Sequence, residues 1–264
     1  MKEFKDKNFW TLVLGGSSGL GLASAKKLAK HGMNVCIVHR NPRMQEEVIL
    51  KEFESIKQEG VQFKSFNSDA FNPDKRNMII QELKSLLGDN QKIKTMVHSV
   101  AKGNLKPMVS DDNNELKHDD FALTIQAMGI SLYDWVKVVF EANLFAEDSR
   151  IISFTSQGNS KAWKNYAAVS AAKVTLEAIT RSIALEFAPF GIKANCIQAG
   201  ITDTKSLRMI PDVEKIIKYA SQRNPNKRLT TPEDVANVVY LLTKDEASWI
   251  TGTVLPVDGG EHLI

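Results

Sequence analysis

Short runs of hydrophobic residues alternate along the chain with longer segments whose hydrophobic positions recur at helical spacing. We predict strands at the runs 11–16, 34–40, 61–69, 95–101, 150–156, 192–200 and 251–260. We predict helices at about 20–31, 43–59, 73–88, 119–146, 166–188 and 234–243. Strands that are hydrophobic throughout must be covered on both faces, so the alternation predicts a parallel sheet between two layers of helices.

This alternation runs through the chain without a linker rich in Pro, Gly or Ser. We therefore predict a single α/β domain over residues 1–264, with a doubly wound sheet of seven parallel strands. Two polar segments, 102–118 and 201–230, fit neither pattern. Both follow predicted strands, at the carboxyl edge where such sheets bind ligands, so we expect loops that shape a site there.

Composition narrows the class of protein. Hydrophobic residues make up 43% of the chain and charged residues 25%, as in ordinary globular proteins. The net charge of +3 and the lack of a basic block argue against nucleic-acid binding. Cys36 and Cys196 lie in apolar runs without metal-ligand spacing, so we predict two core residues and no metal site. With no apolar segment near the start, and no run of about 18 apolar residues, we expect a cytoplasmic protein that does not bind membranes.

The first predicted strand ends in LGGSSGLG, a glycine-rich turn that opens the first predicted helix. Glycines permit a tight turn and let the backbone approach a pyrophosphate, which the unpaired N–H groups and positive end of the helix attract. A flexible connector has a similar composition, but the position at the first strand–helix junction favours a dinucleotide site, and hence a Rossmann fold. The residues predicted to contact the cofactor are Gly15, Ser17, Ser18, Gly19 and Leu20.

The ends of the second and third strands affect the choice of cofactor. An acid after the second strand would bind the adenosine ribose 2′-hydroxyl, whereas a basic residue would accommodate a 2′-phosphate. The chain has Arg40 there and no acid until Glu46, which favours NADP(H) over NAD(H), unless Arg40 is an ordinary surface arginine. After the third strand, Asp69 and Ala70 are predicted to bind the cofactor. The Asp69 carboxylate either accepts from the adenine amino group or caps the following turn.

Several segments together resemble the short-chain dehydrogenase/reductase family over nearly the whole chain: GGSSGLG, NSDAF, HSVA, SFTS, KVTLEAITRSIALEFAPFGIKANCIQAG and LPVDGG. Most members of that family carry Tyr-x-x-x-Lys, but here Val169 stands at the tyrosine position, Lys173 stays in register and Tyr166 lies earlier. The resulting Tyr-x6-Lys spacing resembles the enoyl-acyl-carrier-protein reductases. Their bacterial NADPH-preferring type is similar also in HSVAKGNLKPM, NYAAVSAAK, ITDTKSL, RNPNKRL and VDGG.

Seven residues along a helix make nearly two turns, so Tyr166 and Lys173 are predicted to project from one face. The resemblance implies that Tyr166 hydrogen-bonds a developing enolate, while Lys173 holds the nicotinamide ribose. A displaced phenol suits hydride delivery to Cβ, because the thioester oxygen lies farther from that carbon than a carbonyl oxygen lies from its own. Ser156 stands at the serine position of the parent family and either contacts substrate or ends its strand. Near Met128, many carbonyl-reducing relatives carry an asparagine that supports a proton relay.

The resemblance also implies further cofactor contacts. The backbone of Ser99, Val100 and Ala101 is expected against the adenosine-side ribose. We expect Ile201 to offer its N–H to the nicotinamide carboxamide and Thr204 its hydroxyl to a phosphate.

A flap at about 202–224 is predicted to cover the substrate. Its apolar face, suited to an acyl chain, comprises Leu207, Met209, Ile210, Ile216 and Ile217. Its basic residues meet an acidic carrier protein or are simply solvated: Lys205, Arg208, Lys215 and Lys218.

The resemblance implies an NADPH-dependent enoyl-acyl-carrier-protein reductase of fatty acid synthesis. Its substrate would be a thioester of acyl-carrier protein or coenzyme A. It would be a homotetramer joined through the helix that carries the lysine and the C-terminal strand. One alternative is a carbonyl or β-ketoacyl reductase of the same family. Another is a catalytically silent nucleotide-binding regulator, which Ile201 and the replacement of a usual threonine by Leu14 favour.

Overall fold

A computed structural model of the protein describes residues 2–210 and 213–264. Within this part of the chain, seven parallel strands form one sheet in the order β3-β2-β1-β4-β5-β6-β7. Their bounds are β1 Phe9–Leu14, β2 Asn34–His39, β3 Phe63–Asn67, β4 Lys92–His98, β5 Phe145–Thr155, β6 Ile192–Ala199 and β7 Val254–Val257. The strand order reverses between β1 and β4, which opens a crevice beyond the carboxyl ends of these strands.

Helices cover both faces of the sheet. Their bounds are α1 Gly19–Lys30, α2 Glu46–Lys57, α3 Pro73–Leu87, α4 His118–Ile125, α5 Ser131–Glu141, α6 Ala167–Glu186, α7 Val213–Arg223 and α8 Pro232–Thr243. Side chains of α3, α5 and α6 pack with Leu12 and Leu14 of β1 in one buried cluster. Side chains of α1, α2 and α8 pack with Val13 in another. Successive β1 residues therefore enter opposite cores, and the predicted doubly wound Rossmann fold is confirmed.

Two helical regions differ from the sequence-based prediction. The helix predicted at 119–146 is three pieces, because a π-helical stretch, Gln126–Ile130, separates α4 from α5. The prediction also placed the end of this helix too late, because Asn143 has φ 56° and β5 begins at Phe145. The segment predicted as a loop at 201–230 contains helix α7, whose hydrophobic residues interrupt a mostly polar sequence.

A charged cluster lies at the amino-terminal ends of the central strands, opposite the crevice. Asp148 accepts hydrogen bonds from Arg150 (Nη1–Oδ1 2.5 Å), Lys94 (Nζ–Oδ2 2.7 Å) and Lys193 (Nζ–Oδ1 2.6 Å). The side chains of Arg150 and Lys94 are only 1% and 3% exposed, so both charges need carboxylate partners: Asp148 serves both, and Lys94 also pairs with Asp245 at 3.1 Å. The cluster joins β4, β5 and β6 at that edge.

None of the helices in the described residues has both the length and the hydrophobicity needed to span a bilayer.

Candidate active site

A cleft of about 630 Å³ opens at the carboxyl edge of the sheet. It brings together nearly all of the residues predicted for the site. They are Gly15, Ser17, Ser18, Gly19, Leu20, Arg40, Ser99, Val100, Ala101, Ser156, Tyr166, Lys173, Ile201 and Thr204. Two predicted cofactor residues, Asp69 and Ala70, do not line it.

The glycine-rich turn forms one end of the cleft and fits a pyrophosphate. Gly15 has φ 83°, and a Cβ there would lie 2.1 Å from the carbonyl oxygen of Ser99, so no side chain fits. Helix α1 begins at Gly19, has no acidic residue in its first turn, and receives no side-chain cap from Ser18. Its N-terminal N–H groups therefore remain available to an anion. The methyl group of Thr204 lies near Gly19, 3.5 Å from the place a Cβ would take there, and the Thr204 hydroxyl accepts the Leu207 N–H at 3.2 Å.

At the end of β2, the Arg40 guanidinium bonds to Asp69, with Nη1 and Oδ2 2.6 Å apart. The other Asp69 oxygen accepts the Phe71 N–H at 3.0 Å, so this carboxylate caps the turn, one of the two roles considered for it. The Ala70 carbonyl accepts the indole N–H of Trp135 at 3.0 Å, which ties this residue to the core rather than to the cleft. Arg40 is 65% exposed and free on its solvent side to meet a phosphate.

Tyr166 lies immediately before α6, where Asn165 (φ 62°) turns the chain into the helix. Its hydroxyl is 3.3 Å from Ser156 Oγ. The ring packs closely on Gly158, where a Cβ would lie 2.4 Å from it, so the Ser156–Gly158 loop needs this glycine. Burial raises the pKa of Tyr166, although the Ser156 hydrogen bond opposes the shift. The phenol therefore keeps its proton at neutral pH and can donate it in a hydrogen bond.

Lys173 lies on the same wall of the cleft, two turns along α6. Its Nζ donates to the Phe154 carbonyl at 2.6 Å, which tethers the ammonium to the end of β5. Burial lowers the pKa of Lys173 to about 8. Because this pKa lies close to neutral pH, the protonation of Lys173 responds to any negative charge that develops near it.

A small hydrophobic cluster lies beside Tyr166. Val169 and Ala172 of α6 pack with Met128 of the π-helical stretch, and the ring of Tyr166 lies against them. Met128 is 4% exposed. The position near which relatives carry a relay asparagine is therefore apolar here.

Several residues of the cleft were not singled out by the sequence analysis, and Glu261 is the one with an ionisable side chain bonded to a predicted site residue. Glu261, just after VDGG, is 5% exposed and lines the cleft. Its Oε2 accepts the Ile201 N–H at 3.1 Å, so the N–H predicted for the carboxamide is already bonded. Burial raises the pKa of Glu261, against the opposing effect of the Ile201 bond. The sequence shows Glu261 only as an acidic residue next to two glycines, and nothing in it indicates that Ile201 is the hydrogen-bond partner.

The predicted flap contributes apolar residues to the cleft. Leu207, Met209, Ile210 and Ile216 line it, whereas Ile217 does not. Of the basic residues, Lys205 lines the cleft, while Arg208 pairs with Asp203 at 2.5 Å. The flap prediction also covers residues 211 and 212, which lie outside the described residues.

Comparisons with known proteins agree with this geometry. Residues 15–262 match the family described as Enoyl-(Acyl carrier protein) reductase. The chain is 28% identical over 261 residues to the enoyl-[acyl-carrier-protein] reductase [NADH] FabI of Enterococcus faecalis, covering 98% of both chains. It is 26% identical to the 1-cyclohexenylcarbonyl-CoA reductase of Streptomyces collinus, covering 100% of this chain and 90% of that one.

Solved structures share the fold. The crystal structure of the enoyl-[acyl-carrier-protein] reductase (NADH) from Aquifex aeolicus superposes with a TM-score of 0.84 at 21% identity, over 99% of this chain and 98% of that one. The family match spans most of the chain and includes both ends of the cleft. The protein therefore belongs to the enoyl-(acyl carrier protein) reductase family of short-chain dehydrogenase/reductase oxidoreductases.

Proposed function

We propose that the protein reduces the trans-2 double bond of an enoyl thioester in fatty acid synthesis, with NADPH as reductant. The observation that carries this proposal is the placement of Tyr166 and Lys173 on one wall of the cleft, seven positions apart. Between them the apolar Val169–Met128 contact stands where carbonyl-reducing relatives place a tyrosine and a polar relay.

A bound NADPH would supply the hydride for Cβ of the thioester, and a proton taken up from solvent at Cα would complete the reduction. Charge then develops on the thioester oxygen, and the protonated Tyr166 hydroxyl donates a hydrogen bond to it. The Lys173 ammonium orients the ribose hydroxyls and favours negative charge in this part of the cleft. The apolar flap residues (Leu207, Met209 and Ile210) cover the acyl chain and exclude water from the reacting atoms.

A second candidate, carbonyl or β-ketoacyl reduction, is favoured by one contact. Ser156 Oγ bonds to the Tyr166 hydroxyl at 3.3 Å, and a serine paired with a phenol suits an acid that protonates a carbonyl oxygen. The two reactions are told apart by supplying crotonyl and acetoacetyl thioesters, each on coenzyme A and on acyl-carrier protein, with NADPH and with NADH.

In that assay we expect loss of reduced-cofactor absorbance with the crotonyl thioester. Consumption of the acetoacetyl thioester alone would overturn the proposal in favour of carbonyl reduction. Tight NADPH binding without turnover of either thioester would instead favour a regulator. The two carriers in the assay also decide between acyl-carrier protein and coenzyme A.

Arg40 supports the choice of NADPH, although the curated relatives include reductases named for NADH. Changing Arg40 to alanine is expected to weaken NADPH binding roughly tenfold or more, because a charge-assisted bond to the 2′-phosphate is lost. NADH binding should change little. The measurement is the ratio of the two dissociation constants, with R43A, at an exposed arginine nearby, as the matched control. An unchanged ratio in R40A would mean that Arg40 does not select the cofactor.

Assembly as a homotetramer is also part of the proposal. Helix α6, which carries Lys173, exposes Val174 (47%) and Leu185 (78%). Before β7, Trp249 is 96% exposed. Apolar side chains on these two elements suit contacts between subunits.

A further inference from the structure

Glu261 places a carboxylate in the wall of the cleft with spare capacity to accept hydrogen bonds. Its side chain is nearly buried, yet it borders the cleft. A carboxylate has about four acceptor positions on two oxygens. Within residues 2–210 and 213–264, the Ile201 N–H on Oε2 is the one hydrogen bond that the carboxylate receives. Oε1 therefore accepts no hydrogen bond from the described residues, and the residue that carries it borders the cleft.

The nearby cations do not fill this gap. The Arg223 guanidinium, at the end of α7, bonds to the backbone carbonyl of Glu261 (Nη2–O 3.3 Å) and leaves the carboxylate oxygens to other donors. Among the described residues, Glu261 forms no ion pair with a lysine or arginine. A nearly buried carboxylate with one backbone bond is costly unless another donor reaches it. Water in the cleft, or a donor group of a ligand bound there, can supply the missing hydrogen bond.

The location of Glu261 indicates which group of a bound ligand could donate a hydrogen bond to Oε1. The segment that follows β6 runs from Ile201, bonded to Glu261, to Thr204, packed on the phosphate-binding turn at Gly19. A dinucleotide bound with its pyrophosphate at Gly19 and its reactive ring toward Tyr166 would pass along this segment. The polar group carried by that ring is a primary amide, whose NH₂ is a donor.

We propose that Glu261 Oε1 accepts a hydrogen bond from the NH₂ of the nicotinamide carboxamide, while Oε2 keeps the Ile201 N–H. The Glu261 carboxylate thereby replaces the Ile201 backbone N–H as the group that hydrogen-bonds to the carboxamide. The contact fixes the rotation of the amide, and hence of the ring whose face is turned to the substrate. This inference rests on the proposed function only in requiring that a nicotinamide dinucleotide binds in the cleft.

The test removes the donor from the ligand and the acceptor from the protein in turn. The ligand pair is the reduced dinucleotide and its 3-acetylpyridine analogue, which carries a methyl ketone in place of the carboxamide. Both are used in the form, with or without the 2′-phosphate, that the protein binds more tightly. Dissociation constants are measured by calorimetric titration, without substrate. We expect wild-type protein to bind the analogue about tenfold more weakly.

In Glu261→Ala the ratio of the two constants should fall to near one. Any general loosening of the loop weakens both ligands alike and cancels in the ratio. Glu261→Gln serves as the size-matched variant. With its amide oxygen on the Ile201 N–H, its NH₂ cannot accept from the carboxamide, so the ratio should fall there too.

The matched control is His262→Ala, which alters the same C-terminal turn by removing the bond to Asp258 and leaves the Glu261 carboxylate in place. It should keep the wild-type ratio. Equal affinities of the two ligands for wild type would overturn this proposal alone, as would a wild-type ratio in both Glu261 variants. Failure of every dinucleotide to bind would overturn the proposed function as well.

Discussion

Replacing Tyr166 with phenylalanine is expected to lower kcat for enoyl reduction by about 100- to 1,000-fold, the usual effect of removing one donor to a developing oxyanion. The ring still fits against Val169 and Gly158, so the fold and the cleft should persist. Because the hydroxyl bonds to Ser156 rather than to a residue of the phosphate-binding turn, cofactor affinity should stay within about twofold.

Single-turnover kinetics with crotonyl thioester measures the loss in the chemical step, and titration with NADPH measures binding. Tyr133→Phe removes the hydroxyl of a tyrosine exposed on α5 and should leave both quantities at their wild-type values. A Tyr166→Phe enzyme as fast as wild type would show that the phenol does not act on the thioester oxygen.

Replacing Asp148 with asparagine is expected to lower the free energy of unfolding by about 2–3 kcal/mol. The change removes the carboxylate that two nearly buried cations, Arg150 and Lys94, share, although Lys94 keeps its ion pair with Asp245. We expect less than the roughly 3–5 kcal/mol usual for breaking a buried pair, since Asp148 is itself 35% exposed and Arg150 keeps a bond to the Leu242 carbonyl. For a chain of this size, the loss corresponds to a Tm roughly 4–9 °C lower.

The contribution of Asp148 depends on pH in a defined direction. Burial acts to raise its pKa, but hydrogen bonds from Arg150, Lys193 and Lys94 outweigh burial and hold the pKa well below the ordinary aspartate value. A depressed pKa in the folded state stabilises the protein above the unfolded-state pKa, about 4, and this stabilisation is lost as the pH falls further.

Denaturant unfolding at pH 7 and at pH 3 measures this dependence. The difference between wild type and D148N should be full at pH 7 and smaller at pH 3. D89N, at an exposed aspartate, is the control. A difference that is equal at both pH values would mean that the ionised carboxylate is not what stabilises this edge of the sheet.

The sheet was predictable from sequence because its signals are local. Continuous hydrophobic runs such as NVCIVH mark strands wherever helices cover both faces. The two regions predicted incorrectly lack such a signal. The π-helical stretch at Gln126–Ile130 inserts one wider turn without a break in hydrophobic periodicity. Helix α7 is short and amphipathic within a mostly polar segment, so its apolar face was recognised but not its helical conformation.

The residues of the site likewise fall into two groups: those that local sequence spacing predicts and those that only the fold brings together. Tyr166 is the residue just before α6 and Lys173 lies within that helix, so their spacing in the sequence was enough to predict that they lie close together. The Glu261–Ile201 and Arg40–Asp69 pairs join residues 60 and 29 positions apart, and only the folded chain brings them within bonding distance. Single positions in the sequence do not specify such partners.

The packing of Val169 on Met128 limits how this enzyme class changes its chemistry. A tyrosine introduced at position 169 would need the volume that Met128, Ala172 and the Tyr166 ring already occupy. Conversion to the Tyr-x-x-x-Lys spacing of relatives therefore requires at least three substitutions together. They are a tyrosine at position 169, a smaller residue beside it and a residue without an aromatic ring in place of Tyr166. A variant of this chain with only one of these exchanges would be overpacked or would lack a phenol in the cleft, so the position of the tyrosine cannot be moved one substitution at a time.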